Sequence, residues 1–126
     1  MSEMRLVVAG AAGRMGRMLV QAIHETPGAI LSGALEHGGS LALGQDAGLL
    51  AGAGQMNVPI TADALQAIAQ ADGLIDFSSP AATVQYAGLC AQARIVHVIG
   101  TTGLAADDIE RSMLPRATRQ SCAREI

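Results

Sequence analysis

The chain of 126 residues contains no lysine and no tryptophan, and it has only one phenylalanine and one tyrosine. Its core must therefore be built from aliphatic side chains with alanine and glycine, a composition that suits a parallel sheet covered by helices. No apolar run approaches the roughly eighteen residues needed to cross a membrane. Glu3 and Arg5 precede only a short apolar run, which is not the pattern of a signal peptide. The length predicts one domain.

Charge is scarce and unevenly distributed. Residues 1–110 carry four arginines and ten acidic residues, a net charge of −6, whereas residues 111–126 carry four arginines and one acidic residue, a net charge of +3. An acidic body argues against nucleic acid as a partner. Cys90 and Cys122 form no motif, so we expect reduced thiols in a cytoplasmic protein. The short apolar runs lead us to expect no membrane partner. No His, Cys or Asp cluster has metal-ligand spacing, so we predict no metal site.

The most informative stretch is residues 5–16, where the apolar run Leu6 to Ala9 leads into three evenly spaced glycines. The run predicts a strand buried on both faces. Gly10, Gly13 and Gly16 form a variant of the dinucleotide-binding fingerprint. In such a fingerprint Gly10 allows a tight turn, Gly13 lets a pyrophosphate approach the backbone, and Gly16 lets the helix pack closely on the strand. A glycine-rich turn between two core elements is the alternative. The apolar face of the helix is predicted from Met15, Met18, Leu19, Ala22 and Ile23.

Further apolar runs alternate with helical periodicity. The predicted strands are Ala29 to Leu35, Val58 to Thr61, Leu74 to Phe77 and Ile95 to Ile99. One short helix is predicted over residues 62–71, with Asp63 near its start and with Leu65, Ile68 and Ala69 on one side. Another begins at Pro80 with Ser79 as its N-cap. Residues 38–57 predict a long loop with at most a broken helical turn. The pattern indicates an α/β fold, a Rossmann-like doubly wound parallel sheet with a nucleotide across its edge.

Polar residues at strand ends are the candidate ligand contacts. Glu36 ends the second strand, where a carboxylate accepts ribose hydroxyls and repels a 2′-phosphate; a solvated strand-end residue is the alternative. His37 could offer partial positive charge to such a phosphate, or be a plain loop residue. Asp76 is expected to bond neighbouring backbone N–H groups rather than act in catalysis, and His97 to pack in its strand. Residues 100–103 place two hydroxyls between two glycines, as a ligand-binding loop or a polar turn.

Taken together, these motifs resemble one family, 4-hydroxy-tetrahydrodipicolinate reductase, also called dihydrodipicolinate reductase, of lysine and diaminopimelate biosynthesis. The resemblance lies in residues 8–16, 35–36, 76–80 and 98–103, with the loop at 43–48, and it covers roughly residues 3–110 in order and spacing. It implies an oxidoreductase that passes hydride from NADH or NADPH to a cyclic imine, formed from a small-molecule substrate by dehydration. The product is tetrahydrodipicolinate.

The resemblance also implies which residues bind the cofactor. In the family the glycine loop holds the pyrophosphate, the position of Glu36 contacts the ribose, and the next residue is often an arginine that serves the 2′-phosphate of NADPH. His37 stands there instead, although Arg14 could compensate, so the choice between NADH and NADPH stays open. Thr102 would also reach the substrate. The cofactor-binding residues expected are Gly10, Ala12, Gly13, Arg14, Met15, Gly16, Glu36, His37, Phe77, Ser78, Ser79, Gly100, Thr101, Thr102 and Gly103.

The sequence departs from the family pattern after Ile109. The family continues with a helix, a strand and a substrate domain whose His-His-Arg-x-x-Lys-like motif supplies the proton donor. We therefore expect a dinucleotide-binding domain at residues 1–110, truncated before the family's C-terminal domain, and an atypical Arg-rich tail at 111–126. A wrong reading frame and a functional basic tail both account for that tail. No catalytic residue is assigned, the isolated chain is expected to be inactive, and the family's homo-oligomer is not expected.

Three alternatives remain at this point. The chain could be a non-catalytic dinucleotide-binding or sensing module with an interaction tail. It could belong to another two-domain dehydrogenase, of the homoserine or semialdehyde type, which the loop at residues 100–103 disfavours. It could also be a remnant that exposes a sheet edge, because the next strand and its covering helix are missing.

Overall fold

The computed structural model describes residues 3–100 and the backbone of residues 123–125. The elements form one six-stranded parallel sheet with the strand order β3-β2-β1-β4-β5-β6. This arrangement confirms the predicted Rossmann-like doubly wound fold. The strands are β1 (Met4–Ala9), β2 (Ala29–Leu35), β3 (Ile60–Thr61), β4 (Gly73–Asp76), β5 (Val96–Ile99) and β6 (Ala123–Glu125), and the helices are α1 (Arg14–Glu25), α2 (Ala47–Ala51), α3 (Ala64–Ala69) and α4 (Pro80–Ala93).

The sheet separates two hydrophobic cores. Helices α3 and α4 cover one face, where Ile68 and Cys90 pack with Val7 of β1. Helices α1 and α2 cover the other face, where Val20 packs with Val8. Adjacent residues of β1 thus point to opposite cores, as the period of two in a strand requires. β1 lies between β2 and β4, so the chain order reverses beside it, and a ligand crevice is expected at its carboxyl end.

The buried faces of two helices differ from the prediction. The buried residues of α1 are Gly16, Val20 and Ile23, whereas Met15 and Met18 are 44% and 58% exposed. The predicted face is confirmed at Ile23, and Leu19 packs against the core, but it is wrong at Met15, Met18 and Ala22. Gly16 buries the first turn of α1 by close contact with the glycine loop, without adding apolar surface. Leu65 of α3 is also exposed, while its neighbours Ala64 and Ile68 are buried. The predicted cap of α4 is confirmed, since the Ser79 hydroxyl accepts the Ala82 N–H at 3.3 Å.

Asp46 organises the long segment between β2 and β3. One of its carboxylate oxygens accepts the N–H groups of Leu49 and Met56, both at 3.0 Å, and the other accepts that of Val58 at 2.8 Å. The first bond caps α2, and the other two fold the chain back towards β3. The hydrogen bond from Met56, with those from Leu49 and Val58, lowers the pKa of Asp46 although desolvation acts in the opposite direction.

Replacing Asp46 by alanine is expected to lower the free energy of unfolding by more than the loss of a single helix cap does, because a cap and two further backbone donors lose their acceptor together. Urea denaturation measures the loss. Asp63→Ala is the matched control, since Asp63 caps α3 through the single N–H of Gln66 at 3.3 Å, and about 1 kcal/mol is expected there. Equal losses in the two variants would contradict the organising role of Asp46.

The last strand lies inside the Arg-rich tail. Residues 123–125 run parallel to β5, with His97 opposite Ala123 and Ile99 opposite Glu125. No strand was predicted in this segment. The exposed sheet edge that the remnant alternative would leave is paired with β6 at residues 97–99 of β5. An edge strand offers a row of backbone donors and acceptors that any extended segment can pair with, whatever its side chains. The boundary at residue 110 and the reading-frame hypothesis stay predictions, because residues 101–122 lie outside the described part.

Within residues 3–100 and 123–125, none of the helices combines the length and the apolar character that crossing a bilayer would require.

Candidate functional site

The glycine loop at the carboxyl end of β1 turns tightly onto the neighbouring strand. The N–H groups of Gly10 and Ala11 both donate to the Leu35 carbonyl, at 2.9 and 3.2 Å. Gly10 has φ +81°, a left-handed conformation that side chains disfavour. A Cβ on Gly10 would overlap the Phe77 carbonyl, and one on Gly16 would overlap the Gly10 carbonyl. Two of the three predicted glycine roles, the tight turn and the close packing, therefore have a geometric basis.

Gly13 differs from the other two glycines because its outer side is open. It is the N-cap residue of α1 and makes no side-chain cap. A Cβ there would meet only the Gly10 carbonyl oxygen, at 3.3 Å. The N–H groups in the first turn of α1 have no partner within the helix, and they lie at the positive end of its dipole. The first turn contains no acidic residue. This surface can bind an anion through the backbone.

Two adjoining cavities flank the glycine loop, with volumes of about 270 and 300 Å³. Both are lined by Gly10, Gly13, Phe77 and Ser78, so they form one cleft with two lobes. The first lobe is further lined by Glu36, His37, Ser79, Ala82 and Tyr86. The second lobe is further lined by Arg14, Met15, Gly16 and Gly100. Gly13, at the N-terminus of α1, lines both lobes.

Glu36 connects the first lobe to the glycine loop. Its carboxylate accepts the N–H of Ala12 at 2.9 Å, while its own N–H donates to Thr61 of β3 at 3.0 Å. The carboxylate is thereby held at the mouth of the lobe with further lone pairs for hydroxyl donors. His37 is exposed, and its Nδ1 accepts the Gly39 N–H at 3.2 Å. Sequence reasoning placed Glu36 and Ala12 in the same site but did not anticipate the bond that joins them.

A buried acid–imidazole pair lies beneath the cleft. Asp76 and His97 are both fully buried, and His97 Nε2 lies 2.9 Å from Asp76 Oδ2. Asp76 Oδ1 accepts both the N–H of Ser78, at 3.0 Å, and its hydroxyl. Burial acts to raise the pKa of Asp76, but the hydrogen bonds from His97 and Ser78 outweigh it, so this pKa lies below its ordinary value. The predicted bond from Asp76 to a neighbouring N–H is confirmed; its partner His97 was not foreseen.

Two residues of the cleft were missed from the sequence. Ala82 and Tyr86 lie on α4, three and seven positions after Ser79, and they line the first lobe with it. Helical spacing from the cap residue was the signal that could have found them. Burial raises the pKa of the Tyr86 phenol, and the charges of Asp76 and Glu36 raise it further. Tyr86 is therefore an uncharged hydroxyl at neutral pH.

Most predicted site residues meet in this cleft, and three cannot be located. Thr101, Thr102 and Gly103 lie outside the described residues. Arg14 lines the second lobe, whereas Glu36 and His37 line the first, so Arg14 is not placed beside them. Among the residues of the described part, no group of three or more His, Cys, Asp or Glu side chains could hold a metal ion.

Comparison with known proteins agrees with this geometry. A family model described as "Dihydrodipicolinate reductase, N-terminus" matches residues 4–120. The 4-hydroxy-tetrahydrodipicolinate reductase of Beijerinckia indica is 68% identical over 103 residues, which are 82% of this chain and 38% of that protein. Its counterpart in Methylocella silvestris is 60% identical over 111 residues, 88% of this chain and 41% of that protein. The chain thus spans about two fifths of the length of these relatives.

Solved structures share the fold. A dipicolinate-bound dihydrodipicolinate reductase from Paenisporosarcina sp. TG-14 superposes with a TM-score of 0.74 at 20% identity, covering 98% of this chain and 46% of that one. A probable dehydrogenase from Thermotoga maritima gives the same TM-score at 17% identity, with 96% and 35% covered. At these identities the likeness shows the fold alone.

Proposed function

The chain belongs to the dihydrodipicolinate reductase family, and from that premise we propose that it forms the dinucleotide-binding part of a reductase. The proposed reaction is the NADH- or NADPH-dependent reduction of 4-hydroxy-tetrahydrodipicolinate to tetrahydrodipicolinate, in lysine and diaminopimelate biosynthesis. The bound dinucleotide would supply the hydride. The observation that carries the proposal is the two-lobed cleft, since Gly13 at the open N-terminus of α1 lines both of its lobes.

The residues present fit a dinucleotide. The first-turn N–H groups of α1 would hold the pyrophosphate, and Gly13 would let it approach the backbone, because no side chain covers that point. Met15 and Gly100 would border the nicotinamide, together with Phe77 and Ser78, which line both lobes. Thr101, Thr102 and Gly103 stay predicted cofactor contacts, Thr102 also a predicted substrate contact. We propose no catalytic residue, and the cytoplasmic location stays a prediction.

We further propose that the site prefers NADH to NADPH. Glu36 would accept the adenosine ribose hydroxyls, and its carboxylate would repel a 2′-phosphate in the same lobe. None of the described residues that line this lobe is an arginine, and Arg14 lines the other lobe. His37 is the remaining basic side chain there, and its Nδ1 is used in the bond from Gly39.

The test is a titration of the purified chain with NADH and with NADPH, followed by fluorescence or calorimetry. Glu36→Gln is expected to weaken NADH about five- to tenfold, since a charge-assisted hydrogen bond is replaced by a neutral one. NADPH affinity should stay unchanged or rise, because the repulsion is removed. The glutamine carbonyl can still accept the Ala12 N–H, so the loop should keep its structure.

Glu25→Gln serves as the control, because it removes the same charge at the exposed far end of α1. Absence of NADH and NADPH binding in the unmodified chain would overturn the dinucleotide site itself. Equal losses of the two cofactors in Glu36→Gln would remove Glu36 from the ribose and leave the pyrophosphate assignment intact.

A further inference from the structure

Ser78 occupies a central position in the cleft. It lines both lobes, and it is half-buried rather than fully exposed. It follows directly on Phe77 after the carboxyl end of β4, and it precedes the cap residue of α4. A bound dinucleotide that crosses from one lobe to the other would therefore pass its hydroxyl.

The direction of the Ser78 hydrogen bond is fixed by its buried partner. The hydroxyl and the N–H of Ser78 both point to Asp76 Oδ1. An ionised carboxylate can only accept, so the serine must donate its single proton to it. The lowered pKa of Asp76 keeps that carboxylate ionised at neutral pH. A hydrogen bond from a hydroxyl to a charged acceptor is stronger than one to a neutral acceptor.

His97 holds the carboxylate in place from the other side. Asp76 Oδ2 accepts from His97 Nε2 at 2.9 Å, and both side chains are fully buried. Since Asp76 can only accept, Nε2 carries the hydrogen. His97 Nδ1 is buried and has no hydrogen-bond partner among the described residues, so the ring forms its bond with Asp76 alone. The bond from His97 keeps the carboxylate directed at Ser78.

We propose that Ser78 meets the bound dinucleotide as a hydrogen-bond acceptor only, with Asp76 and His97 as its positioning residues. The proposal rests on the proposed function and specifies one contact of that same site. The remaining lone pairs of the Ser78 oxygen select a donor group, which the dinucleotide offers in its carboxamide NH₂ and in its ribose hydroxyls. Ser78 therefore cannot hydrogen-bond to the phosphates, because ionised phosphate oxygens carry no donor. The backbone N–H groups of α1 would bind the phosphates instead.

The test measures binding to the unmodified chain and to Ser78→Ala. The probes are NADH, its reduced 3-acetylpyridine analogue (which lacks the carboxamide donor), ADP-ribose, and inorganic pyrophosphate as a competitor. Loss of one neutral hydrogen bond predicts a three- to tenfold weaker affinity for NADH, corresponding to about 1 kcal/mol. Ser78→Thr keeps a hydroxyl and should restore binding. Ser32→Ala is the matched control, because its hydroxyl bonds to Leu6 away from the cleft.

The probes separate the two donors. If the carboxamide is the donor, Ser78→Ala weakens NADH but leaves ADP-ribose and the acetylpyridine analogue at their original affinities. If a ribose hydroxyl is the donor, all three weaken by a similar factor while pyrophosphate does not change. Either result supports the proposal.

Two results would overturn it. One is an NADH affinity that is the same in Ser78→Ala as in the unmodified chain. This result would leave the proposed function intact. The other is weaker pyrophosphate binding in Ser78→Ala, because this would show that the hydroxyl donates to phosphate. A chain that binds no dinucleotide at all would instead be the failure of the proposed function.

Discussion

Gly16→Ala is expected to lower the free energy of unfolding by about 3 kcal/mol or more. The added Cβ would overlap the Gly10 carbonyl and the Cα of Ala11, and both belong to the backbone of the glycine loop. Overpacking against backbone cannot be relieved by rotating a side chain, so α1 must move away from the glycine loop. Helix propensity alone would predict the opposite sign, because alanine is the better helix former.

Gly88→Ala provides the comparison that isolates the packing effect. Gly88 lies inside α4, and a Cβ there would meet nothing within 4 Å. The same substitution is therefore expected to raise the free energy of unfolding by about 0.5 to 1 kcal/mol. Urea denaturation of the two variants should give opposite shifts from the unmodified chain. Stabilisation by both would mean that the glycine loop does not pack on α1 as described.

Gly13→Val is expected to abolish dinucleotide binding and leave the fold intact. The backbone at Gly13 has φ −75° and ψ 171°, an extended conformation that valine readily adopts. Its side chain would project into the open space where the pyrophosphate would approach. We expect the NADH affinity to fall about 100-fold or more, which corresponds to about 3 kcal/mol, with the free energy of unfolding changed by less than about 1 kcal/mol.

The measurement for Gly13→Val pairs an NADH titration with a denaturation curve. The NADH affinity of Gly13→Ala should lie between those of the unmodified chain and of Gly13→Val, because one methyl group only narrows the approach of the pyrophosphate to the backbone. Binding of NADH by Gly13→Val at the affinity of the unmodified chain would remove the glycine loop from the pyrophosphate. A loss of binding accompanied by a loss of folding would assign Gly13 to the packing of the loop instead.

Local features of this fold could be predicted from the sequence. β2 has the bounds predicted for it, Ala29–Leu35. Both ends of this apolar run are marked in the sequence, one by a turn and the other by a charged residue. The cap at Ser79 and the turn at Gly10 were predicted for the same reason, since each depends on the conformational preference of one or two residues.

Features that depend on strand order could not be predicted in this way. Asp76 and His97 are 21 residues apart and meet because β4 and β5 are neighbours in the sheet. The bond from Ala12 to Glu36 likewise needs β1 beside β2. Apolar periodicity carries no information on these pairings. For α1 it predicted Ile23 but missed Gly16, where the buried face begins, because hydropathy does not count glycine as apolar.

The position of β1 at the centre of the sheet has a consequence for how the chain folds. Each described strand pairs in parallel with its neighbours, so no two of them can be joined by a short hairpin. β1 is made first, yet Leu6 pairs on one side with Gly73, 67 positions later. At about 5 to 20 residues per second, a ribosome needs roughly 3 to 13 seconds to supply that partner. The strand that carries the glycine loop is therefore completed late, and contacts of such long sequence separation make for slow folding.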